Sequence, residues 1–198
     1  MARVWPEVDA VVIGASAGGV EALLALVSAL PPAFPVPVLV VLHRPAQTGR
    51  GATLASLLAR RCALSVADAL DHQPLTAGQV VLAPADYHLL VDPGPVAALS
   101  LDPPVLWSRP AIDPLFETAA AVFGWRLLAL LLTGGSADGS AGAEAVRRHG
   151  GELWVQDPAE AQVPTMPQAA LQRSGADRVC TIDDMCRTLA AADTRRVA

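Results

Sequence analysis

Short, uniformly apolar segments alternate along the chain with longer segments whose apolar residues recur at helical spacing. Residues 8–13, 36–42, 80–83, 126–132 and 153–156 read as strands, most of them apolar on both faces. Such runs belong to strands of a parallel sheet buried between helix layers. Residues 20–30, 53–61, 114–123, 141–149 and 167–174 carry the helical spacing. Alternation of the two predicts a doubly wound, mostly parallel α/β sheet with helices on both faces. One departure lies at residues 87–101, where two apolar runs flank Asp92-Pro93-Gly94-Pro95. This pattern predicts an antiparallel hairpin at a sheet edge.

In open α/β sheets, ligands bind beyond the carboxyl ends of the strands, so the residues just after each strand carry the interest. The first strand runs into Gly14-Ala15-Ser16-Ala17-Gly18-Gly19, the second into His43, and that at 126–132 into Thr133-Gly134-Gly135-Ser136-Ala137-Asp138-Gly139. A serine, a histidine and an aspartate thus emerge on one rim. Each has a rival explanation. The first turn fits the G-x-S-x-G pattern of a nucleophile elbow, yet Ser16 also suits a helix cap and the glycines a dinucleotide loop. A dinucleotide site needs an acidic residue near the end of the second strand, where this chain has His43 and Arg44. Asp138 alone reads as a cap, while Gly134, Gly135 and Gly139 permit an unusual backbone course that aims a carboxylate or bares amide donors. As a set, the three favour a catalytic triad. Their order, Ser16, His43, Asp138, is not the Ser, Asp, His order of α/β-hydrolases.

Composition narrows the class. The 198 residues are 53% hydrophobic, with 14 basic and 19 acidic side chains. One domain over residues 1–198, with a core from about residue 8 to 190, is expected. A net charge of -5 without a basic run argues against nucleic acid as partner. Every basic residue is arginine, which excludes a Walker A lysine, a Schiff base and a lysine general base. Cys62, Cys180 and Cys186 with four scattered histidines make neither a disulfide framework nor a zinc site, so no cofactor or metal is expected. The N-terminus lacks a signal-type apolar stretch, and the apolar run at 127–132 is too short to span a bilayer. A reduced, cytoplasmic protein without membrane insertion is the expectation.

Several stretches occur together in family order from about Val11 to Leu189: Ile13-Gly14-Ala15-Ser16-Ala17-Gly18-Gly19, Leu42-His43-Arg44-Pro45, Ala83-Pro84-Ala85-Asp86-Tyr87-His88-Leu89, Arg109-Pro110-Ala111-Ile112-Asp113-Pro114-Leu115-Phe116, Leu132-Thr133-Gly134 through Asp138-Gly139, and Gln156-Asp157-Pro158 with Met166-Pro167. They resemble the catalytic domain of the chemotaxis protein-glutamate methylesterases, the CheB type. The resemblance implies Ser16 as nucleophile, His43 as general base and Asp138 as its orienting partner. Hydrolysis of glutamate γ-methyl esters on a methyl-accepting chemotaxis receptor, with release of methanol, follows as the expected activity. Two positions depart from the family pattern. Ala17 stands where a hydroxylated residue is usual, and Gly134-Gly135-Ser136 replaces the usual Gly-Met-Gly loop. The receiver domain that precedes the family's catalytic domain has no room here; the expectation is either a stand-alone form, which numbering from Met1 favours, or an excised fragment, with its regulatory partner unknown.

Amides of the glycine turns, that of Ala17 among them and those of Gly134 and Gly135, are candidates for an oxyanion hole. Arg44 and Arg109 either meet acidic residues around the receptor's methylation sites or are structural. Trp107 either contacts the receptor helix or packs in a core or interface. Three alternatives stand beside the methylesterase: an inactive docking scaffold of the same fold, a receptor glutamine deamidase or other esterase, and, more remotely, a nucleotide-binding module.

Overall fold

A computed structural model describes residues 7–44 and 53–194; Pro45, part of one family stretch, lies outside them, as do residues 195–198 of the polar tail. Seven strands form one sheet: β1 (Ala10–Ala15), β2 (Val38–Leu42), β3 (Ser65–Asp68), β4 (Gln79–Leu82), β7 (Leu127–Leu131), β8 (Glu152–Gln156) and β9 (Arg178–Cys180). Their order is β3-β4-β2-β1-β7-β8-β9, and every pairing is parallel. The helices are α1 (Gly19–Ser28), α2 (Leu54–Ala59), α3 (Ile112–Phe123), α4 (Ser140–Arg148), α5 (Thr165–Ser174) and α6 (Ile182–Ala190).

Alternation along each strand feeds two separate cores. Val11 and Ile13 of β1 and Leu128 and Leu130 of β7 face one core, with Leu23 and Leu26 of α1 and Met185 of α6. Ala10, Val12, Leu127, Ala129 and Leu131 face the other, with Leu115, Phe116 and Ala119 of α3 and Val146 of α4. Both faces are therefore dry, which explains why the central strands are uniformly apolar. No helix among the described residues is long and apolar enough to cross a membrane.

The predicted hairpin forms as β5 (His88–Asp92) and β6 (Val96–Ser100), but not at the edge of the main sheet. It makes a separate two-stranded sheet. Leu89, Val91 and Ala97 turn into the second core, and the Val91 amide donates to Thr118 Oγ1 of α3 at 3.0 Å. A hairpin's apolar face needs only a cover, and α3 supplies it. Three further elements carried no strong pattern. β3 is a half-exposed edge strand, β9 has three residues, and α6 is opened by Thr181, whose hydroxyl accepts the Asp184 amide.

The order reverses between β1 and β7, the switch point where such sheets open a crevice. Register levels the strand ends there: Ala15 pairs with Leu42, and Gly14 with both Val41 and Leu131.

Candidate active site

Level strand ends place Ser16 and His43 side by side in sequence register, and the His43 amide donates to Ala15 O at 3.1 Å. The Ser16 turn is pinned on its other side by Thr133. The Ser16 amide donates to Thr133 O (2.9 Å), and the Thr133 hydroxyl donates to Ala17 O (2.9 Å). Gly134 then passes so close that a Cβ there would lie 2.9 Å from Ser16 Cβ and 2.6 Å from Met166 Cε. Only glycine allows that approach.

Asp138 is fully buried, and its carboxylate accepts four N–H groups. Oδ2 takes the Ile112 amide (2.7 Å) and His43 Nε2 (2.6 Å), while Oδ1 takes the amides of Asp113 (3.0 Å) and Gly139 (2.9 Å). Ile112 and Asp113 open α3, whose cap residue Ala111 has no side-chain acceptor, so Asp138 caps the helix from outside. Burial pushes the carboxyl pKa up, but the His43 contact and the amides of Ile112 and Asp113 outweigh it, and the net shift is downward. Asp138 is thus a firmly held anion.

A carboxylate has no proton to give, so His43 Nε2 carries the hydrogen and Nδ1 carries the lone pair. That lone pair lies 3.3 Å from Ser108 Oγ, which donates to it. Among the described residues, the Ser16 hydroxyl has no hydrogen-bond partner, and the Ser16–His43 contact of a resting triad is absent. Hydrogen bonds of this kind are often long in unliganded sites and tighten on substrate.

The loop amides divide. Gly134 N donates to Val163 O at 3.0 Å and is spent there, so of the candidate donors it acts as loop support only. Those of Ala17 and Gly135 have no acceptor among the described residues. Ser136 Oγ accepts the Asp138 amide (3.1 Å), which shapes the loop. No group of metal-binding side chains occurs among the described residues.

The two rim arginines are committed within the molecule. Arg44 Nη2 donates to Asp68 Oδ1 and to Ala83 O, both at 2.9 Å. Arg109 donates through Nε and Nη2 to Asp86 Oδ1 (3.1 and 2.8 Å) and through Nη1 to the carbonyls of Leu101 and Asp102. Trp107 is 98% exposed, so it fills no core. His88 is buried and clips the same loop, donating from Nε2 to Pro103 O while Nδ1 accepts the Ala111 amide.

Sequence reasoning missed two polar side chains. One is Ser108, on the open nitrogen of His43. The other is Asp113, whose Oδ1 accepts the Gly142 amide (2.7 Å) and so caps α4 as Asp138 caps α3. Burial, helped by the charge and contact of Asp138, pushes the Asp113 carboxyl up to about 6 against the pull of the Gly142 amide. Its place just before Pro114 at a helix start was the available signal.

The family model for CheB methylesterase matches residues 11–189. The "protein-glutamate methylesterase/protein-glutamine glutaminase 2" of Anaeromyxobacter dehalogenans is 43% identical over 182 residues, covering 92% of this chain but 52% of that protein. The chain therefore spans about half the length of that relative. A "putative protein-glutamate methylesterase/protein-glutamine glutaminase" of Leptospira interrogans is 34% identical over 88% of this chain and 90% of its own length. The crystal structure of the Thermotoga maritima CheB methylesterase catalytic domain superimposes with a TM-score of 0.87 at 32% identity, over 93% of this chain and 98% of that one.

Proposed function

The chain belongs to the CheB methylesterase family, and from that premise we propose that it hydrolyses glutamate γ-methyl esters on a methyl-accepting chemotaxis receptor, with Ser16, His43 and Asp138 as its triad. The observation that carries this reading is the 2.6 Å bond from His43 Nε2 to a fully buried, anionic Asp138, one strand away from Ser16.

His43 Nδ1 takes the Ser16 proton as Oγ attacks the ester carbonyl carbon. In the reacting complex the Ser16 hydroxyl takes the place at that nitrogen now held by Ser108. Asp138 holds the imidazole with Nδ1 outward and stabilises the imidazolium. Amides of Ala17 and Gly135 stabilise the oxyanion, each such donor being worth about 3 kcal/mol. As the tetrahedral intermediate collapses, the C–O bond to methoxide breaks and the proton on Nδ1 leaves with it as methanol. Water then attacks the glutamyl-serine ester, gives its proton to His43, and Ser16 is restored.

A second reading is favoured by the relatives' names, which join methylesterase to protein-glutamine glutaminase. The same attack on a glutamine carboxamide releases ammonia, because His43 protonates a leaving amine as it does methoxide.

The test compares methanol release from a methyl-labelled receptor fragment, and ammonia release from its glutamine form, by wild type, Ser16→Ala and His43→Ala. Both variants are expected to fall at least a thousandfold. A folded wild type that releases neither product overturns the enzyme reading in favour of a docking scaffold, and a Ser16→Ala variant that keeps its rate overturns the nucleophile.

A further inference from the structure

Beside the candidate site the chain makes a turn whose conformation and sequence disagree. Val105 and Ser108 exchange both backbone hydrogen bonds, at 3.1 and 2.9 Å, across a two-residue turn. The two central residues lie in the left-handed region, Leu106 at φ 44° and Trp107 at φ 67°. Asn-Gly fills such a turn with little strain; bulky side chains do not. Burial offers no compensation, since Leu106 is 50% exposed and Trp107 98%. Strain kept in a segment buried so little points to what the segment meets from outside.

The turn is also firmly held. Arg109 ties its base to Asp86 and to the carbonyls of Leu101 and Asp102, and the Ala111 amide is fixed on His88. Ser108 follows Trp107 directly and donates to His43 Nδ1. The exposed indole therefore stands one residue from a group in contact with the proposed base. Ser16 and His43 leave adjacent strand ends and Ser108 touches His43, so a polypeptide helix, about 10–12 Å across, that offers a side-chain ester to Ser16 comes within reach of this turn. Charge recognition is weak here, because Arg44 and Arg109 are taken up by Asp68 and Asp86. What the rim offers is apolar surface.

We infer that Leu106 and Trp107 form a docking knob for apolar side chains of the protein substrate, adjoining the residue to be hydrolysed. The inference rests on the hydrolase reading and supplies its means of choosing a folded protein over a small ester. Trp107 buries against the substrate, and the strained backbone keeps it aimed.

The experiment measures kcat and KM of wild type, Trp107→Ala and the double variant Leu106→Asn/Trp107→Gly on two probes: a methyl-labelled receptor fragment and p-nitrophenyl acetate. The ratio of receptor to small-ester kcat/KM is expected to fall at least tenfold in both variants, mostly through KM. The double variant should melt no lower than wild type, because Asn-Gly relieves the strain while keeping the turn. A ratio within twofold of wild type overturns the inference. So does a parallel fall on both probes, which makes the turn a support for Ser108 and His43. A wild-type dimer that Trp107→Ala dissociates overturns it too, by making the knob a contact between copies. Should folded wild type turn over neither probe, the hydrolase reading fails; the knob is then judged by receptor-fragment Kd, expected to weaken at least tenfold in Trp107→Ala.

Discussion

Asp138→Asn is the most informative single substitution, because the carboxylate accepts two N–H groups on each oxygen. An amide has one accepting atom, so its NH2 must face a buried donor in either orientation. With the carbonyl oxygen kept on Asp113 and Gly139, the NH2 faces the Ile112 amide and leaves one backbone donor unpaired. The reverse orientation leaves two. The first therefore prevails, at a cost of about 1–3 kcal/mol for the orphaned Ile112 amide. In that orientation the NH2 also donates toward His43 Nε2, which must accept, and the imidazole proton moves to Nδ1. The proposed base nitrogen is then occupied. Loss on the order of 10⁴ in kcat is expected, about 5 kcal/mol of transition-state stabilisation. Urea unfolding reads the first quantity, hydrolysis of p-nitrophenyl acetate the second, and ¹⁵N chemical shifts of His43 report the tautomer. A variant that is as stable as wild type, within tenfold in kcat, and still protonated at Nε2 refutes the reasoning at all three points.

Other substitutions test other parts of the arrangement. Gly134→Ala puts a methyl group 2.6 Å from Met166 Cε and 2.9 Å from Ser16 Cβ. It should cost about 1–3 kcal/mol in urea unfolding, and Gly134→Ala/Met166→Ala should stay poorly active because the Ser16 contact remains. Asp113 has its folded pKa raised from 3.8 to about 6, so its neutral form is the one that folding favours. That contribution is present below about pH 4 and is lost as pH rises through 6, up to about 3 kcal/mol. Asp113→Asn keeps an acceptor for Gly142 and should match or exceed wild-type stability at pH 8, its advantage growing between pH 4 and 6; a deficit at pH 8 counts against it. Asp138 has the opposite sign: its lowered pKa gives stability above the ordinary carboxylate range that disappears in stronger acid. Arg109→Lys keeps the charge but not the fork that spans Asp86 and two carbonyls. As a clamp, Arg109 cannot be replaced by Lys, and receptor KM should rise even at low ionic strength; a KM within twofold of wild type there makes the residue a charge contact with the substrate.

The central strands were legible because a parallel sheet dry on both faces leaves unbroken apolar runs, as at 38–42 and 127–131. Their order and ends were enough to bring Ser16, His43 and Asp138 to one rim. The sheet's margins were not legible, for the same reason inverted. β3 alternates exposed and half-buried positions, and Val179 of β9 is exposed, so neither shows an apolar run. The hairpin could be read from Asp92-Pro93-Gly94-Pro95, but two apolar strand faces do not reveal whether a strand or a helix will cover them. Ser108 left no trace, since its contact with His43 closes over 65 residues through a turn that its own sequence disfavours.

The two aspartates join the scaffold to the site. Ala111 before α3 and Gly139 before α4 offer no side chain to their helix N-termini, and each helix borrows a carboxylate from the other's start. Asp138 caps α3 and Asp113 caps α4. Asp138 is therefore held ionised by the same amides that it caps, and the His43 orientation follows from helix packing rather than from a dedicated support. Activity and stability should then fall together at Asp138. They should separate at Ser16, whose hydroxyl bonds nothing among the described residues, and at Leu106 and Trp107, whose strained turn has stability to gain from a substitution that costs substrate binding. A site built this way concentrates its folding energy in the orienting carboxylate and leaves the nucleophile and the docking knob free to vary.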